Sequence, residues 1–307
     1  MNTKTPSLTI PNYRKRLLQR TQQVGNAICM GMDPIMERMP QEVLSYKGKG
    51  SKALEESIKD FYEGILNSFA KTGIYPAAVK PNTAYYEALG SKGFAVLEEL
   101  IAMYRKEGML VVLDAKRGDI GRTSTAYAKM AFETLEADAV TVAPYMGKDS
   151  IVPFQEVSKA LEKGQGIYVL VRTSNPSAVD FQEKNIEGKT LYSTVAQKLS
   201  EWNDGNLGAV VGATAPRELE ELVSLWKEGD KASLEIPCLI PGVSVPGVAG
   251  GQGGTLSDVQ NAIARGGGTL GYHLINSSSG LNYAWEKYSS LSWGEATVKA
   301  MEQMLEA

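Results

Sequence analysis

Histidine occurs once in the 307 residues, at His273, and cysteine twice, at Cys29 and Cys238. Three such side chains, far apart in the chain, do not supply the four ligands of a tetrahedral zinc site. Two cysteines cannot staple a disulfide scaffold either, and they fit a reducing compartment. An excess of one charge is also missing, since 32 Lys and Arg stand against 35 Asp and Glu for a formal charge of −3. That balance argues against binding to nucleic acid mainly by phosphate neutralisation. No apolar stretch approaches the ~20 residues that cross a bilayer, and the basic start MNTKTPSLTIPNYRKRLLQR lacks the apolar centre of a secretory signal. Repeats, low-complexity tracts and Pro/Ser-rich linkers are absent. What is present, 43% hydrophobic and 22% charged residues, describes a well-cored globule. The expectation is a cytoplasmic enzyme or small-molecule binder, with no membrane or nucleic-acid partner.

Length alone suggests roughly two domains, but closed α/β barrels reach this size as one. Eight β-rich apolar runs recur: 27–33, 77–82, 110–116, 139–145, 166–172, 208–214, 237–242 and 269–276. Near-continuous apolar runs suit parallel strands covered on both faces. Helical patterns alternate with them. In 91–108, Phe94, Leu97, Leu100, Ile101 and Tyr104 fall three and four apart, with Gly108 at the end. A second pattern fills 51–73, and 216–229 begins with Pro and ends with Gly. This alternation predicts a (β/α)8 TIM barrel, one domain over 1–307, with an extra N-terminal helix near 11–23 closing the barrel bottom. An open doubly wound sheet is the rival that periodicity does not exclude.

In a barrel, polar residues at the carboxyl ends of strands are the functional candidates. The densest group is LDAKRGDIGRT (113–123). Asp114 and Lys116, two apart on a strand, share a face, and Asp119 follows at the entry to a helix starting near Gly121. Buried charges cost several kcal/mol each unless paired, so the cluster is either solvated or has a task. A surface salt-bridge cluster is the plain alternative. Lys80 ends the second run and Asp33 the first, each before a proline. Singly they read as loop charges; together the four would alternate in sign around one barrel mouth. VRTSNPSA (171–178) and GGQGG (250–254) suit anions, and the glycines of 247–254 suit a mobile lid. The loops after strands seven and eight, 243–255 and 276–280, are where barrels hold phosphate. Cys29 and Cys238 read as buried thiols and His273, within the last strand, as structural. Most Tyr and all four Trp read as packing residues. YRKRLLQR (13–20) reads as the solvated side of the N-terminal helix.

The stretch VVLDAKRGDIGRTSTAYA (111–128) resembles the signature of the orotidine 5′-phosphate decarboxylases, in their longer-chain bacterial branch. Collinear matches follow it: GMDP (31–34), VKPNTAYYEALGSKG (79–93), TVAPYMGKDSIVPF (141–154), VRTSNPSAVDFQ (171–182), VVGAT (210–214) and LIPG (239–242). The resemblance implies a (β/α)8 barrel that converts orotidine 5′-monophosphate (OMP) to UMP, the last step of de novo pyrimidine synthesis, with no metal or organic cofactor. By motif position it implies that Lys116 stabilises the developing C6 carbanion and protonates it. Asp114 would lie beside the departing carboxylate, Lys80 would hold the array and a ribose hydroxyl, and Asp33 would hold the ribose. Asp119 and Thr123 would reach into a partner's site, implying a homodimer with shared active sites. Ser174 would contact the pyrimidine amide, and Gln252 would fold over the phosphate.

Three departures from the resemblance stand out. Ser279, in INSSSGLNYA (275–284), occupies the place of a phosphate-binding arginine, and serine has no charge to replace it. The lid PGVSVPGVAGGQGG (241–254) is longer than usual, so Pro241 and Pro246 compete for one role. Ala143 replaces a frequent Asn. Three readings follow. The first is an active decarboxylase with a weakened phosphate clamp. The second is a pyrimidine-nucleotide-binding relative without turnover. The third is a sugar-phosphate decarboxylase or aldolase-like synthase that needs a divalent metal. Lys80 with the Asp114/Lys116/Asp119 set favours the first over the second, and the Ser174 loop favours it over the third.

Overall fold

The computed structural model describes residues 12–46, 49–51, 53–227, 235–249 and 252–306. Eight parallel strands close into a barrel. They are β1 (Ile28–Met32), β2 (Ala78–Pro81), β3 (Leu110–Arg117), β4 (Ala139–Val142), β5 (Gly166–Arg172), β6 (Leu207–Val211), β7 (Cys238–Pro241) and β8 (Leu274–Ser277). The seam pairs β1 with β8, Ile28 opposite Ile275 and Met30 opposite Ser277. An open sheet has no such pairing, so the chain is a (β/α)8 barrel. Every residue of β1, β2, β4, β6 and β8 is buried, which is why these segments read as unbroken apolar runs.

The principal helices are α1 (Tyr13–Val24), α2 (Leu54–Thr72), α3 (Gly90–Lys106), α4 (Gly121–Lys129), α5 (Val152–Leu161), α6 (Leu191–Trp202), α7 (Pro216–Lys227), α8 (Leu256–Arg265) and α9 (Trp293–Glu306). Residues 11, 52 and 228–229 of the expected helices lie outside the described residues. In α2 the apolar positions Ile58, Phe61, Tyr62, Ile65 and Phe69 form one buried stripe. The helix stops where Gly73, at φ 72°, donates its N–H to the Phe69 carbonyl. Only glycine takes that left-handed cap without strain. No described helix is long and apolar enough to cross a membrane.

Helix α1 plugs the amino-terminal end of the barrel. Tyr13 and Leu17 pack against Ala77, Leu110, Ala139, Tyr168 and Leu274, and the Tyr13 and Tyr168 rings meet edge to face at 5.7 Å. Each large side chain so buried stabilises by about 1.5–3 kcal/mol.

Two expectations need correction. The basic cluster of α1 is not simply solvated. Arg16 pairs with Asp138, Arg14 reaches the Glu235 carbonyl, and Arg20, buried, donates to the Pro76 carbonyl. Helical periodicity marks the apolar stripe, but not that strand ends beneath a lid offer carboxylates and carbonyls to its flanks. The last strand also starts later than expected. Residues 270–272 form a 3-10 turn, leaving His273 just before β8. Its Nδ1 accepts the Cys238 N–H at 3.0 Å, which puts the ring proton on Nε2, facing Glu235 Oε1 at 3.4 Å. His273 ties the starts of β7 and β8 together, far from the barrel mouth. Both cysteines are buried and free, and burial pushes the Cys29 thiol up to about 12.

Candidate active site

The carboxyl end of the barrel opens into a cavity of about 420 Å³, lined among others by Asp33, Lys80, Asp114, Lys116, Thr141 and Ser174. Its charged floor comes from two neighbouring strands, β2 and β3. Lys80 Nζ on β2 donates to Asp114 Oδ2 at 2.7 Å, and Lys116 Nζ donates to Asp114 Oδ1 at 2.6 Å. Lys80 and Asp114 are 4% and 7% exposed, so these are not the solvated surface pairs of the plain alternative. Burial opposes the charge on Asp114, but the two ammonium groups outweigh it and hold the carboxyl well below the usual range. Burial likewise works against Lys80, but Asp114 and Asp33 hold its pKa above the usual lysine value. Asp114 and Lys80 therefore stay ionised at neutral pH. Lys116, half exposed at its side chain, points its ammonium to the open cavity.

The spacing of two between Asp114 and Lys116 does not act through a regular strand. Leu113 pairs with Val140 and Arg117 with Val142, so three residues of β3 stand opposite Thr141 alone. Within this irregularity Lys116 takes φ 45°, a left-handed conformation that costs a non-glycine residue of order 1–3 kcal/mol. Bulges of this kind re-aim side chains beside active sites.

Around the array, Asp33 follows β1, and its Oδ1 is buried without a hydrogen-bond partner. Such an orphaned acceptor suits a ligand hydroxyl. The Ser174 loop is braced by Gln182, whose Oε1 accepts the Thr173 N–H at 2.8 Å and whose Nε2 donates to the Thr173 hydroxyl at 2.8 Å. Sequence reading named neither Gln182 nor Thr141. For Thr141 a signal existed: one hydroxyl inside the apolar run AVTVA.

At the opposite end the cavity meets Pro241, Gly242, Gln252 and Ser277–Ser279. Of the two competing prolines, Pro241 lines the cavity, whereas Pro246 is exposed on the outer side of the loop. Gly242 has φ +99°, and a Cβ there would stand 2.7 Å from Gln252 Oε1, so glycine lets Gln252 lie against it. The lid base is closed by Ser244 N–H to the Gly254 carbonyl at 2.8 Å, and its outer turn by Lys287 Nζ to the Pro246 carbonyl at 3.0 Å. Residues 250–251 of the lid lie outside the described residues. Among the described lining residues Lys80 and Lys116 are the only cations, both at the Asp114 end.

Two expected site residues are not brought to this cavity. Asp119 accepts the Ile120 N–H through Oδ1, Thr123 is exposed on α4, and neither lines the cavity. The irregular end of β3 turns the chain outward after Lys116, so proximity in sequence does not become proximity in space. Among the described residues, no three or more His, Cys, Asp or Glu side chains are grouped as they would be around a metal ion.

Residues 27–270 match the family model described as Orotidine 5′-phosphate decarboxylase / HUMPS family. The chain is 36% identical to an orotidine 5′-phosphate decarboxylase of Rhodopirellula baltica over 92% of this chain and 94% of that one. It is also 36% identical to one of Natronomonas pharaonis over 90% of each. Among solved structures, OMP decarboxylase of Leishmania donovani superposes with a TM-score of 0.71 at 29% identity, over 96% of this chain and 98% of that one.

Proposed function

The chain belongs to the orotidine 5′-phosphate decarboxylase / HUMPS family, and on that premise we propose how its residues divide the work. The enzyme is a carboxy-lyase that converts OMP to UMP in pyrimidine biosynthesis. The observation that carries the assignment of roles is the alternating array Lys80–Asp114–Lys116, with contacts of 2.7 and 2.6 Å at the cavity floor.

The substrate carboxylate sits against Asp114, and the pyrimidine C6 lies beside Lys116. As the C–C bond breaks, CO2 departs and the electron pair stays on C6. The Lys116 ammonium, already in place, stabilises that charge and delivers its proton to C6; solvent then reprotonates the lysine. Fixed charges need no reorganisation as the carbanion develops, which is how preorganised electrostatics lowers a barrier. Lys80 holds Asp114 and a ribose hydroxyl, and the unpartnered Oδ1 of Asp33 takes another. Ser174 contacts the pyrimidine amide, and Gln252 folds from the lid over the phosphate. Remote phosphate contacts of this kind stabilise the closed, charge-ordered enzyme. With Ser279 where an arginine would stand, the described residues lining that end of the cavity offer the phosphate neutral donors.

Asp119 and Thr123 serve the site of a second copy in a homodimer. Supporting this, both lie outside their own cavity beside exposed Ile120, and the neighbouring loop after β4 presents Tyr145 at 96% and Met146 at 47% exposure. Apolar surface so open on one chain marks an interface.

The test is steady-state decarboxylation of OMP with EDTA present. Lys116→Ala is expected to lower kcat by at least ~10³-fold, the upper range for loss of a general acid that also stabilises charge. A variant that keeps turnover would overturn the assignment.

A further inference from the structure

We propose that Thr141 is a positioning residue of the reaction: its one hydroxyl sets both the orientation of the Asp114 carboxylate and the backbone turn that aims Lys116. The proposal rests on the roles given above to Asp114 and Lys116. Thr141 is buried at 1% exposure on β4. Its Oγ1 donates to Asp114 Oδ1 at 2.9 Å and accepts the Lys116 N–H at 2.9 Å. The proton direction is unambiguous. A main-chain N–H only donates and a carboxylate only accepts, so the hydroxyl hydrogen points at Asp114 and a lone pair at Lys116.

The register explains why a side chain is needed here. Three residues, Asp114 to Lys116, stand opposite Thr141 where a regular ladder would place one. The surplus residues lose ladder partners, and buried backbone donors must find others. Thr141 supplies the missing acceptor to Lys116 from its own side chain. In doing so it stabilises Lys116 at φ 45°, a conformation lysine would otherwise leave. The same hydroxyl adds to the donors around Asp114, whose Oδ1 also receives Lys116 Nζ and whose Oδ2 receives Lys80 Nζ. Valine, isosteric with threonine, would leave the Lys116 N–H without a buried partner and place a methyl group against the carboxylate. Serine would keep both hydrogen bonds.

The inference is tested with Thr141→Val, Thr141→Ala and Thr141→Ser, beside wild type and Lys116→Ala. The measurements are kcat and KM for OMP, the affinity for UMP, and the melting temperature. Thr141→Val and Thr141→Ala are expected to lower kcat roughly ten- to hundred-fold, as a displacement near 1 Å of a reacting group does. UMP affinity should stay within about threefold, because the product makes no use of the proton-delivering geometry. Thr141→Ser should retain kcat within about threefold of wild type. The alanine variant keeps the comparison open if the valine methyl prevents folding. Wild-type kcat in both Thr141→Val and Thr141→Ala, with Lys116→Ala inactive, would overturn the positioning role alone. So would a serine variant as slow as alanine. Turnover surviving in Lys116→Ala would remove the assignment beneath the proposal and the proposal with it.

Discussion

Replacing Ser279 by arginine is the perturbation that bears most on how this enzyme holds its substrate. The charged cavity residues Asp33, Asp114, Lys80 and Lys116 sum to zero, whereas OMP brings a carboxylate and a phosphate near −2. Both cations are already paired to Asp114. In the proposed binding mode the phosphate faces Gln252 and Ser277–Ser279, and the described cavity lining has no cation at that end. Ser279 is partly exposed, so a longer side chain has room to extend from it along the cavity rim. A hydrogen bond to a charged group contributes about 1.5–3 kcal/mol. At 1.4 kcal/mol per tenfold, Ser279→Arg is expected to raise kcat/KM for OMP by roughly ten- to a hundred-fold, with the larger figure for bidentate contact. The assay is the loss of OMP absorbance at several salt concentrations, run in parallel with the unphosphorylated nucleoside orotidine. The gain should appear for OMP alone and shrink as salt rises. An equal gain for orotidine would refute the reasoning, and so would no gain at all. Either result would mean that the phosphate is held elsewhere, by the lid or by main-chain N–H groups.

Four further outcomes are expected. Co-expressing Lys116→Ala with Asp119→Ala should restore roughly a quarter of wild-type activity if the two copies share sites, because half of randomly mixed dimers are hybrids and each has one intact site; two inactive variants that stay inactive together argue against sharing. Gly242→Ala should raise KM for OMP about tenfold and lower the melting temperature by roughly a few degrees, since a Cβ would meet Gln252 Oε1 and φ +99° strains alanine; unchanged kinetics would show that Gln252 does not need that seat. Asp114→Ala strands the buried Lys80 charge and should destabilise the fold by about 3–5 kcal/mol, read from denaturant midpoints. Glu235→Gln tests pH dependence at the barrel bottom. Burial resists the Glu235 charge, but His273, the Thr269 N–H and Lys227 pull its pKa down to about 2. A depressed carboxyl pKa contributes stability above its unfolded value, and that stability is lost as pH falls from the ordinary glutamate range toward 2. The glutamine variant should show a shallower acid loss over that window, and an unchanged slope would count against the coupling. Asp114 and Lys80 add no slope near neutrality. A depressed Asp pKa costs stability only in acid, and a raised Lys pKa only in strong base.

Much of this protein was legible as pattern. The runs at 27–33, 110–116 and 166–172 fall on β1, β3 and β5, because strands buried on both faces must be apolar throughout. Asp33, Lys80, Asp114 and Lys116 were visible as charges ending such runs, and the cavity collects all four. The loops 243–255 and 276–280 could be picked out because barrel sites sit on the segments following the strands, but Gln252 and Ser279 within them were named only by the family resemblance.

What stayed hidden depends on partners distant in the chain. Arg16 looks solvated until the barrel bottom brings Asp138 against it. Pro241 and Pro246 are equivalent as Pro-Gly pairs, and only the folding of Gln252 onto Gly242 separates them. Thr141 is one hydroxyl in an apolar run until β4 pairs with β3 three residues to one. Periodicity and burial are written locally, so sequence by itself determined the elements, their order and the charges at their ends. Strand register, barrel closure and the path of the chain after a bulge arise from pairing between remote segments. For that reason the tertiary structure alone decided which charges touch, which hydroxyl holds them, and which expected residues face away.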